Sequence, residues 1–141
     1  MANIIPDAFK SELLSGTHNF ANGGNTFKIA LFTDISGYST SSTAYSTSNE
    51  VSSSGTNYSA GGNALDSQAV SVASNTALVD FADEVFSSVT LSAVGAVIYN
   101  STNSDKLVVV LDFGGTKTAT NGDFTIQFPT ADASDAILRL A

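Results

Sequence analysis

The sequence has no cysteine and no tryptophan, only one histidine, His18, and only five basic residues. Without cysteine there can be no disulfide, zinc-thiolate site, iron–sulfur cluster or thiol nucleophile, and the redox compartment is left unread. One histidine falls short of the usual zinc sets. Charged residues make up 13% of the chain, about half the usual share. Thirteen acids against those five bases leave a formal charge of −8 and a pI near 4.1. A surface of that sign repels phosphate backbones, which argues against direct nucleic-acid binding. Long hydrophobic runs are missing too: the longest aliphatic stretch, Leu107–Leu111, is far short of the about twenty residues needed to span a bilayer. The opening segment, Met1 to Lys10, lacks a basic start and an apolar run of roughly 7–15 residues, so the expectation is a protein made in the cytoplasm without a signal peptide.

What is present is a 141-residue chain with 43% hydrophobic residues and a mean hydropathy of +0.15. That suffices for one sizeable core, and a single domain spanning residues 1–141 is expected. Segment 1–20 reads as helical: Pro6 suits a first turn, Asp7 and Glu12 its positive end, Phe9, Leu13 and Leu14 one side, and Gly16 a stop. From Phe27 the period becomes two, with Phe27, Ile29 and Leu31 on one face before Thr33-Asp34 ends the strand.

Residues 36–63 are mostly Ser, Thr, Asn and Gly and are not expected to form a core segment but either a long surface arm or a linker folded over a neighbour. Tyr38, Tyr45, Val51 and Tyr58 are its available anchors. Strand patterns resume at Val70–Val72, Ala77–Phe81, Val89–Ser92, Val94–Tyr99 and Lys106–Phe113. The last two flank a polar turn and form a hairpin, and Leu107–Leu111, apolar on both faces, is expected at the centre of a sheet. Asn121-Gly122 reads as a tight turn between Thr116–Thr120 and Phe124–Phe128, Pro129 ends that strand, and Ala136–Leu140 supplies a final one. The fold class is all-β: an antiparallel sandwich or barrel of roughly eight strands with one short N-terminal helix.

Motifs for chemistry are weak. His18 sits in Gly16–Phe20 between helix and first strand and reads as a polar turn residue, and no Gly-x-Ser-x-Gly elbow accompanies the twenty-one serines. The acids of Asp80–Glu84 read as a solvated turn, not a catalytic pair. No Asp-x-Asp-x-Asp-Gly spacing favours calcium. Asp112-Phe-Gly114 lacks the other segments of a kinase, and Gly114–Lys117 is a glycine-rich turn, not a phosphate loop. No catalytic residue, cofactor or metal is expected. Few charges and abundant small polar residues instead describe faces that dock onto protein at little desolvation cost.

Several fragments occur in a telling order: Phe9-Lys-x-x-Leu13-Leu-x-Gly16, Phe27-Lys-Ile-Ala-Leu31, Asn49-Glu-Val51, Gly55-Thr-x-Tyr58-x-Ala-Gly-Gly62-x-Ala-Leu65, Ala96-Val-Ile-Tyr99, Leu111-Asp-Phe-Gly114 and Asn121-Gly-Asp-Phe-Thr-Ile-Gln-Phe128. Together they cover nearly the whole chain, which resembles a family of small structural proteins of tailed bacteriophages. The resemblance implies a virion protein without an active site. Capsid decoration, or cement, comes first and a tail-tube or tail-tip place second; a carbohydrate- or receptor-binding module, which sandwich folds host, is a separate alternative placed third because the chain has no Trp and its four tyrosines are scattered. The resemblance also implies a homo-oligomer, a trimer in the common decoration arrangement, with the major capsid protein or tail proteins as partners. Ile4, Ile5, Phe9, Tyr38, Tyr45 and Tyr58 are the candidate interaction residues, being apolar anchors on otherwise polar backbone. Each either touches a neighbour or caps its own sandwich.

Overall fold

A computed structural model describes residues 3–141, so Met1 and Ala2 of the N-terminal segment lie outside the described residues. Among the described residues the fold is all-β with one short helix, α1 (Asp7–Leu14), and seven strands: β1 (Phe27–Phe32), β2 (Asn63–Ala64), β3 (Ala69–Ala73), β4 (Thr76–Asp80), β5 (Glu84–Asn100), β6 (Lys106–Ile126) and β7 (Leu138–Leu140). They make two antiparallel sheets, in the orders β2-β1-β5-β6 and β3-β4-β7.

Pro6 caps the start of the helix and Gly16 follows its C-cap Ser15, where a φ of +78° lets Gly16 N–H and Thr17 N–H reach back to the carbonyls of Leu13 and Glu12. Phe9 is buried and Leu13 half-buried, but Leu14 is 84% exposed. Four residues separate Phe9 from Leu13 on one helix face, whereas Leu14 lies about 100° further round, so it does not join the apolar side expected of it.

β5 and β6 form one long hairpin, and here the structure corrects several expected boundaries. Val89–Ser92 and Val94–Tyr99 belong to a single strand, and Asn121-Gly122 lies inside β6 instead of turning the chain. A two-residue turn of that type needs positive φ at both central residues. Asn121 has φ +47° but Gly122 is not among the positive-φ positions, so one backbone kink is absorbed as a register shift between Val89 and Leu91. Gly114 (φ +75°) and Gly115 (φ +157°), read as a turn, sit in another irregularity of the same ladder, where residues 113–116 lie opposite Val94.

A third irregularity explains the apolar run. Ile98 pairs with Val109 and Tyr99 with Leu107, leaving Val108 as an extra residue that joins Val109 on one face, while Leu107 and Val110 face the other. β6 is nevertheless the terminal strand of its sheet and not a central one. Its free edge is sealed locally: Ile4 and Val110 exchange both backbone hydrogen bonds (2.9 and 2.8 Å), the Asn3 side chain accepts from Asp112 N–H (2.7 Å), and Leu107 N–H donates to Thr43 (3.0 Å). These short covers let both faces and one edge of Leu107–Leu111 be buried without a full neighbouring strand.

The larger sheet is therefore apolar on both sides. Phe27, Ile29, Leu31, Ala96 and Ile98 pack with Phe9, Phe20, Phe81, Phe128 and Leu138. Ala30, Phe32, Val97, Tyr99, Leu107 and Val110 pack with Ile35 and Tyr38. The arm anchors pack on their own chain: Tyr38 is buried on this second face, and Val51 and Tyr58 in the cluster on the opposite one. The arm returns to β1 at Gly62 (φ +74°), where a Cβ would lie 1.8 Å from the Ile29 carbonyl oxygen, so only glycine fits.

Candidate functional site

Among the described residues, two polar knots and one bare strand edge concentrate the chemistry of the fold. The first knot fastens the arm. The Glu50 carboxylate accepts from the hydroxyls of Tyr45 and Tyr58 (2.6 Å for Tyr58) and from Gly61 N–H (2.7 Å). Tyr58 Oη in turn accepts from Leu31 N–H of β1 (3.0 Å). Tyr99 of β5 donates to the Gly61 carbonyl (2.6 Å) and stacks on Tyr45 at 4.3 Å between ring centroids. Tyr38 Oη donates to the Ser46 carbonyl (3.3 Å) and accepts from Ser46 N–H (3.2 Å).

Burial raises all four phenols above their ordinary range, and the Glu50 charge opposes their ionisation further. Tyr99, also held up by Asp105, is pushed up to about 12. Phenols that stay protonated donate to their partners, so the knot ties the arm to β1 and β5.

The second knot surrounds His18, whose side chain is fully buried against Phe9, Phe20 and Phe27 and so is no polar turn residue. Asn100 orients the ring. Its Oδ1 accepts from Thr102 N–H (3.1 Å) and Asn103 N–H (3.3 Å), which turns its Nδ2 toward His18 Nδ1 (3.0 Å) and Asn25 Oδ1 (3.1 Å). Nδ1 is thus an acceptor, and the ring proton on Nε2 donates to Glu12 Oε1 (3.0 Å), while Lys106 Nζ holds Glu12 Oε2 at 3.2 Å. A carboxylate, an imidazole and an amide in line resemble catalytic wiring, yet the remaining ring nitrogen faces Asn100 and not a hydroxyl.

Of the candidate interaction residues, Phe9, Tyr38 and Tyr58 are buried in their own chain, Tyr45 is half-buried on Tyr99, Ile4 is half-buried on the β6 edge, and Ile5 is 39% exposed. The structure brings Tyr45 and Tyr58 together at Glu50 and leaves Ile5 at the surface. The acids of 80–84 are not a uniform solvated turn: Asp83 accepts from Phe128 N–H (2.9 Å), and Glu84 is half-buried, its carboxyl raised by burial first and then by Asp66. Among the described residues no group of three or more His, Asp or Glu side chains is placed to hold a metal ion.

The residues that sequence reasoning passed over as a surface are Val70, Val72 and Leu140, 53%, 74% and 58% exposed on β3 and β7. The register places Val72, Ala77 and Leu140 side by side and Val70 beside Val79 and Leu138, so one face of the smaller sheet runs from the core out to solvent as an apolar stripe. The alternation at Val70 and Val72 was visible, but nothing in the sequence says that the strand ends its sheet. Compared with known proteins, the chain matches no family model, no curated protein and no solved structure.

Proposed function

We propose that this chain is a non-enzymatic structural protein of a tailed-bacteriophage particle, acting by docking onto other proteins. Decoration of the capsid is the first place for it and the tail the alternative. The observation that carries the reading is the uncharged apolar stripe of Val70, Val72 and Leu140, left to solvent. Glu12, His18, Glu50 and the tyrosines all hold the fold together. The stripe is the kind of surface that protein partners cover. The ordered-fragment resemblance supplies the particle context; the comparisons with known proteins found no match and supply none. In such a context many symmetric copies would make modest contacts sufficient.

The sugar-binding alternative is weakened by the same geometry. Stacking on a sugar needs an exposed aromatic face, and Tyr38, Tyr58 and Tyr99 are buried while Tyr45 is stacked on Tyr99.

Cryo-electron microscopy of the particle that carries this protein tests the proposal. Density fitting the two sheets at capsid threefold or quasi-threefold positions supports decoration, and density in the tail supports the alternative. A particle without this chain overturns both, as does turnover of a small molecule by the purified protein that is lost on replacing His18 or the acids at 80–84.

A further inference from the structure

The smaller sheet ends at β3, and among the described residues 69–73 form no backbone hydrogen bond outside their ladder with β4. Natural edges are guarded by charge, proline, a bulge or a cover. This one has none of those guards: no charged residue occurs from Ser67 to Val79, no proline lies there, and the β3–β4 register is unbroken. Ser74 (φ +50°) and Asn75 (φ +63°) form the two-residue turn that joins the strands. The residues flanking such a turn, Ala73 and Thr76, bond to each other, and alternation then assigns Ser71 and Ala69 to β4 as well. The N–H and C=O groups of Val70 and Val72 are left pointing away from the sheet.

The strand itself reads Ala69-Val70-Ser71-Val72-Ala73, the same in both directions. We infer that β3 is an isologous interface, pairing antiparallel with β3 of a second copy of this chain about a two-fold axis at Ser71. In that register Val70 lies opposite Val72 of the second copy, and the outward groups of these residues meet as two bonded pairs, giving four interchain hydrogen bonds. Ser71 meets its own counterpart as the intervening non-bonded pair. A register shifted by one residue would set outward groups against inward ones, so the palindrome and the bonding alternation select the same alignment. Valine faces valine across the join, and two chains of charge −8 meet along a strand that carries none of that charge. Two copies can pair in this way whatever else the chain binds, so the inference stands apart from the virion reading. It gives a dimer where the resemblance implies a trimer.

Sedimentation of the full chain over a concentration series tests it. Reversible association to twice the 14.4 kDa chain mass is expected. Val70→Pro removes an outward donor without touching the β4 ladder and should raise the dimer dissociation constant about tenfold or more. Val72→Lys changes only an exposed side chain and should act in the same direction, which keeps the test open if the proline variant folds poorly. Because the chain has no native cysteine, Ser71→Cys gives a direct reading. At a non-bonded antiparallel pair the two Cα atoms stand about 4.5 Å apart, within disulfide reach, so mild oxidation should link the dimer while Ser54→Cys on the arm stays monomeric. A chain that stays monomeric up to about 1 mM overturns the inference, since even a contact this small registers there. So does association unmoved by both edge variants, or a Ser71→Cys protein that oxidises no faster than Ser54→Cys.

Discussion

Asn100 shows how one side chain can fix a core. It is fully buried at the end of β5 and serves His18, Asn25 and the backbone N–H groups of Thr102 and Asn103 at once. Replacement by alanine strands several of these groups without water, and an unsatisfied buried partner costs about 1–3 kcal/mol. Asn100→Ala should therefore lower stability by about 2–4 kcal/mol in urea titration, among the larger single-residue effects in the molecule. Ser101→Ala, whose hydroxyl bonds the Thr26 carbonyl near the surface, should cost less than about 1 kcal/mol. Tyr58 sets a different dependence. Its phenol is raised in the fold by burial and by Glu50, so the protonated form is favoured there relative to the unfolded chain. The stability this adds is complete below the ordinary phenol value of about 10 and is lost as pH climbs above it. Denaturant midpoints measured from pH 8 upward should fall beyond about pH 10, and Tyr58→Phe should flatten that fall. A midpoint equally steep in the variant would assign the alkaline loss to other groups.

At the scale of elements, the arm and the hairpin behave differently. The arm has no strand of its own and is tied down by side chains converging on Glu50, by single bridges at Phe32–Glu50 and Ala44–Lys106, and by Gly62. Few shared backbone ladders mean low local stability. Glu50→Gln keeps the shape but weakens the charge-assisted bonds, so hydrogen exchange at Val51 and Gly61 should quicken about tenfold while Ile98 and Val109 stay protected. Uniform acceleration through β5 would show that arm and sheet open as one unit.

These elements also differ in how far the sequence disclosed them. β1, the strands β3 and β4 taken singly and the hairpin at Asn100–Lys106 follow from period-two patterning and polar turns. The full reach of β5 and β6 does not, because register shifts near Ser88, Gly114 and Asn121 break the alternation that reveals a strand. The arm hid its role for another reason. Its buried members, Tyr38, Val51 and Tyr58, stand singly among Ser, Thr and Gly, and they join the core only because the folded path of the arm brings Tyr38 to one face of the large sheet and Val51 and Tyr58 to the other. Glu50 looks like any other acid in the sequence, since its partners lie 5, 8 and 11 residues away and meet it only through the folded path of the arm.

Across the whole molecule, charge and surface act in opposition. Two copies at −8 repel at long range, whereas the β3 edge attracts only at contact. Added salt should thus tighten self-association, and the dissociation constant measured by sedimentation should fall several-fold between about 20 mM and 500 mM sodium chloride. Weakening with salt would point to paired charges across the contact and away from an apolar strand.

The close seating of Gly62 on β1 also divides the arm into a fixed end and an adaptable one. Ser52 to Gly55 form an exposed bend whose base is closed by Thr56 Oγ1 on the Ser52 carbonyl, upstream of the point where no side chain fits. Foreign peptides grafted at this bend would leave both core layers undisturbed, making it the natural position for an epitope or a fluorescent label, whereas a single residue inserted after Gly62 would push the backbone into its neighbour.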